Sequence, residues 1–116
     1  MKLFLDDTID PRDVDWIECN SYQLPGWYII RDGNEFVSLV NELTHENMPH
    51  VVSIGNLNGM QGVIVSEVLI SHCMKNDINP PIMFTHILDD YQFENITRCW
   101  ENYLRLYFNK PKKKEL

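Results

Sequence analysis

Apolar positions along the chain form four short, dense runs. Lys2–Leu5, Trp27–Ile30, Val51–Ile54 and Ile82–Thr85 are each about strand length and mostly apolar, Trp27–Ile30 being wholly β-branched and aromatic, so each predicts a strand. Between them the spacing turns helical. Phe36, Val37, Val40 and Leu43 share one helix face, with Asp32 or Asn34 placed to cap the first amides and Glu35 adding favourable charge. Val63–Met74 predicts a second helix through Val65, Val68, Leu69 and His72 or Cys73, although the β-branched Val63-Ile64-Val65 opposes its start. Tyr91–Phe108 predicts a long last helix, capped by Asp89 or Asp90, with Phe93, Ile96, Trp100, Tyr103, Leu104 and Tyr107 as its buried stripe. Asp7–Pro25 has no period and reads as a long connection with Trp16 and Ile17 tucked inward.

Strands alternating with helices imply a mainly parallel sheet with right-handed crossovers. The expected fold is a small receiver- or flavodoxin-like three-layer α/β domain. Its four strands take the order 2-1-3-4, and a long C-terminal helix completes it. Residues 1–109 form the one domain, and 110–116 form a basic flexible tail carrying Lys110, Lys112, Lys113 and Lys114.

Composition narrows the function. The 116 residues are 44% hydrophobic and 11% aromatic, which suits a globular core. No apolar run approaches the roughly 20 residues needed to span a bilayer, so no membrane association is expected. The three cysteines, Cys19, Cys73 and Cys99, are scattered and match no disulfide or metal-knuckle spacing, which favours a cytoplasmic location. The formal net charge is −7, and with four lysines in the tail the body is more acidic still. General nucleic-acid binding is therefore not expected, because phosphates would be repelled. A basic protein partner suits the charge, and an uncovered sheet edge makes a homodimer a further option.

In an open α/β sheet, chemistry gathers beyond the carboxyl ends of the strands. Those ends carry Asp6 and Asp7, then Arg31 and Asp32, then Gly55, Asn56 and Asn58, then Thr85, His86, Asp89 and Asp90. Adjacent carboxylates repel, and such a pair often holds a cation or a shifted pKa. Nucleophilic catalysis has little support, since Ser53 and Ser71 show no base at a recognisable spacing and Cys73 and Cys99 fall on predicted helix interiors.

Leu5-Asp6-Asp7 after the first strand, the Trp-led second strand and the Phe93-Glu94-Asn95-Ile96 helix start resemble the cyclic-phosphate-processing receiver domains, relatives of response-regulator receivers. The resemblance implies an LDHDLG-like segment after strand three. Here Ile54-Gly55-Asn56-Leu57-Asn58-Gly59 stands there, with Gly55 and Leu57 in place of acids, one of them the phosphate acceptor, and Asn56 in place of His. Thr85-His86 occupies the strand-four position where the family shows His and Ser. No lysine follows a fifth strand, because no fifth strand is visible.

The departures favour a non-catalytic acidic binding or regulatory module on a degenerate receiver-like scaffold. Such a chain would need no cofactor, and Asp6-Asp7 would be at most a weak or vestigial metal site. Size and charge also suit a virus-encoded inhibitor of a host factor. Trp16, Tyr22 or aromatics of the last helix would anchor the interface, unless all three tryptophans pack in the core. The alternative is a magnesium-dependent phosphoesterase or nucleotide-binding protein acting on cyclic or linear phosphates. Asp6 and Asp7 would then hold the metal and His86 would serve as general acid or base.

Overall fold

A computed structural model describes residues 1–109. The four predicted runs form four strands, β1 (Lys2–Leu5), β2 (Trp27–Ile30), β3 (Val51–Ile54) and β4 (Ile82–Thr85). All three pairings are parallel and the order is β2-β1-β3-β4, as expected. The helices are α1 (Gly33–Asn41), α2 (Gly62–Lys75) and α3 (Asp90–Asn109). Among the described residues no helix is long and apolar enough to cross a membrane. The basic segment 110–116 lies outside the described residues.

The two faces of the sheet are covered differently. Period-two alternation sends Leu3, Leu5, Ile30, Val52 and Ile54 to the face packed by all three helices, where Phe36, Val65, Leu69, Ile96 and Trp100 complete the main core. The other face receives Phe4 and Ser53. It is covered by residues 7–26, which run through two short 3-10 helices (Pro11–Asp13 and Asn20–Gln23) and bury Val14 and Tyr22.

Local chemistry explains the helix limits. Asp32 caps α1, accepting from the amides of Asn34 (2.8 Å) and Glu35 (3.2 Å). At the start of α2, Gln61 makes no side-chain cap. Asn56, six residues upstream, accepts the Gly62 amide instead (2.7 Å). Tertiary packing of Val65 and Leu69 overrides the weak propensity of the β-branched start. Helix α2 ends as Asp77 turns to φ 53° and Ile78 N–H returns to the Cys73 carbonyl (2.9 Å), closing a Schellman-type cap. Phe93, expected in the buried stripe of α3, is 44% exposed. The buried stripe starts at Ile96, whereas Phe93 lines an open groove with Met83, Phe84 and Thr85.

Candidate functional site

Four residues on the sparsely covered face form a continuous hydrogen-bonded line. Tyr22 Oη and Ser53 Oγ are 2.6 Å apart, Ser53 Oγ and His86 Nδ1 2.8 Å, and His86 Nε2 and Asp6 Oδ2 2.8 Å. One donor order satisfies every group. Tyr22 donates to Ser53, Ser53 donates to His86 Nδ1, and Nε2–H donates to the Asp6 carboxylate. The residues come from four separate places: the second 3-10 helix, β3, the end of β4 and the end of β1. The His86 ring stacks on Phe4 (centroids 4.3 Å apart, planes 11° apart), and Tyr22 stacks on Trp27.

The line is closed to solvent. Ser53 is 0% exposed, Tyr22 1% and His86 2%. Asp6 at 8% is the member nearest the surface. Its other oxygen, Oδ1, accepts from the amides of Thr8 and Ile9 (both 2.9 Å). Burial alone would raise the Asp6 pKa. The hydrogen bonds from His86, Ile9 and Thr8 outweigh it and hold the carboxyl below its ordinary value. Burial raises the Tyr22 phenol, only partly offset by Ser53, which suits its role as donor. Just past β2, Arg31 donates to the Asp6 carbonyl (3.2 Å), to the Ile9 carbonyl and to the Asp10 carboxylate, tying down the chain that leaves β1.

Gly55 has a steric reason to be glycine. A Cβ there would lie 2.5 Å from His86 Nε2, 2.5 Å from the Leu5 carbonyl oxygen and 2.8 Å from Asp6 Oδ2. The absence of a side chain at the end of β3 is what lets β1 and β4 exchange the Asp6–His86 bond across it.

A shallow cavity of about 250 Å³ opens above this line. Of the residues expected there, Asp6, Asp7, Asn56, His86 and Asp89 share it. Three do not. Asn58 pairs through its backbone with Arg31 and Gly33 beside the start of α1. Thr85 faces the helical layer and donates to the Ile54 carbonyl (2.7 Å). Asp90 lies one groove away, along β4. Gln92, from the first turn of α3, joins the cavity unforeseen. Asn56 is occupied in holding the start of α2, and Asp6 meets protein donors with both oxygens. Among the described residues no group of three or more His, Cys, Asp or Glu is placed to hold a metal ion.

Two other expectations change. Ser53 does have a base, His86, but 33 residues separate them and no local spacing could reveal it. Tyr22 is buried rather than an exposed anchor, whereas Trp16 is 38% exposed and Trp100 only 1%. Burial pushes the Cys73 thiol up to about 11 and also raises that of Cys99, consistent with unreactive sulfurs. No family model matches the chain, and neither a curated protein nor a solved structure matches it.

Proposed function

We propose that this chain is a non-catalytic binding module on a receiver-like scaffold, engaging a basic protein partner through its acidic body. One observation carries the reading. The groups best suited to chemistry, Asp6, His86 and Ser53, spend their hydrogen-bonding capacity on one another and on the backbone, and Ser53 and His86 are shut away from solvent. A general acid or base must reach the proton it transfers, and a nucleophile must meet its substrate. The net charge of −7 supports a basic partner. Under this reading the Asp6–His86 line is a structural tie that fastens residues 7–26 and the ends of β1 and β4.

The test is turnover together with ion binding. Pure protein is incubated with cyclic and linear oligonucleotides and with a chromogenic phosphodiester, in Mg²⁺ or Mn²⁺, and each ion is titrated calorimetrically. The expected result is no turnover and no micromolar ion binding. Acetyl phosphate should leave the mass unchanged, since Gly55 offers no acceptor. Turnover abolished by His86→Gln, or micromolar ion binding lost in Asp6→Asn, would replace this reading with the phosphoesterase one.

A further inference from the structure

The sheet stops at β4. That strand pairs with β3 on one side and, among the described residues, with nothing on the other. Ile82 N–H donates to the His50 carbonyl beside β3 (2.9 Å). In a parallel ladder a residue turns its N–H and C=O to the same side, and successive residues alternate. Ile82 and Phe84 therefore face β3, while Met83 and Thr85 turn their backbone groups to the open side. That leaves two donors and two acceptors on a free edge.

This edge is the floor of a trough of about 580 Å³. Met83 and Phe84 are half-buried and Thr85 is buried, whereas the walls stand proud, with Trp16 38%, Phe93 44% and Leu88 68% exposed. Trp16 comes from residues 7–26 on one side of the sheet and Phe93 from α3 on the other. The Trp16 indole N–H donates to the His86 carbonyl (2.9 Å), so it also closes the edge just past Thr85. Pro80-Pro81 closes the opposite end, since neither residue has an N–H to offer. What remains is about four residues long, roughly 13 Å at strand rise.

We propose that this trough receives an extended segment of a partner protein as an added strand, one carrying alternate apolar side chains and flanked by Lys or Arg. The proposal rests on the binding-module reading and assigns its surface. Charge selects the occupant. Asp90 lines the trough and, among the described residues, no lysine or arginine does; in sequence the walls are flanked by the exposed Asp15, Glu18, Asp89 and Glu94 against a single base, Arg98 beside Thr97. The recess disfavours a second copy, whose own projecting Trp16 and Phe93 would meet these walls before the two β4 edges came together. Two copies would also both bring acidic walls to the contact. An isolated strand meets neither obstacle. It gains main-chain bonds from Met83 and Thr85 and side-chain contact with Phe84, Leu88 and Trp16.

The test selects a displayed library of random peptides against the full chain at low salt. Enriched synthetic peptides are then followed by amide exchange and calorimetry. The expected sequences alternate apolar residues and carry Lys or Arg. On binding, the Met83 and Thr85 amides should exchange at least about tenfold more slowly, because each becomes hydrogen-bonded in a ladder. Leu88→Lys, on the exposed wall, should weaken binding roughly tenfold by placing like charge against the peptide. N-methylation of the peptide's inward amides should abolish binding. No enrichment, enrichment of acidic peptides, or protection away from β4 overturns the proposal. So does concentration-dependent dimerisation that protects the same two amides without peptide. Turnover is read on the same sample: an inert chain that binds no such peptide loses only the trough, and a catalytic chain that binds one loses only the non-catalytic reading.

Discussion

The two faces of the sheet are held by different physics. On the helical face sixteen buried residues among those described form one core, and the contacts are apolar and non-directional. On the face covered by residues 7–26 the buried apolar cluster comprises, among the described residues, only Phe4, Val14 and Tyr22, and a directed line of hydrogen bonds adds to them. Apolar burial tolerates small shifts, whereas a hydrogen-bonded line fails when one atom moves by an ångström. The thin face thus trades bulk for geometry, and it is there that the polar residues of the strand ends come together.

The largest expected effect strikes where the thin face has no slack. Gly55→Ala should cost about 4 kcal/mol, since its methyl would press on Asp6, His86 and the Leu5 backbone together. Denaturant unfolding measures it, and a cost below about 1 kcal/mol would show that β1 and β4 can part cheaply. On the helical face, Leu69→Ala should cost about 3 kcal/mol by loss of burial and creation of a cavity. It should leave the His86 imidazole resonances unchanged; if they shift, the two faces are not independent.

Asp6→Asn should cost about 2 kcal/mol at neutral pH, because it replaces a charge-assisted bond to His86. Its pH dependence is more telling. The folded pKa of Asp6 lies below the ordinary 3.8, so its contribution is whole above that value and is lost as pH falls through the lowered one. The wild type should therefore shed stability below about pH 4, and the variant should lack that part of the acid limb. Parallel acid limbs would deny the His86–Asp6 bond its role. The smallest effect is Tyr22→Phe, about 1 kcal/mol for one neutral hydrogen bond. Ser53→Ala, which strands both neighbours, should cost more, and the double variant less than the sum of the two.

Much of the scaffold was legible in the sequence. Each strand is a four-residue apolar run between turn-forming or charged residues, and such runs announce themselves locally. Asp32 was legible as a cap for the same reason. The site was legible only in part. Asp6, Asp7, Asn56, His86 and Asp89 were found because a parallel sheet brings its strand ends to one edge. Tyr22 was misread because nothing local tells an aromatic residue in an aperiodic segment which way to turn. The Ser53–His86 pair was missed because its partners meet only through the alternation of β3 against β4.

What the chain alone determined is the succession of strands and helices, its parallel order and its acidic charge, because each follows from residues near one another or from simple sums. What only tertiary structure decided is what those residues do. Gly55 reads in the sequence as a lost side chain, yet in three dimensions it is the gap through which Asp6 and His86 meet. The reason is steric: the space beside a backbone is set by whatever neighbour folds against it, and no sequence interval records that neighbour.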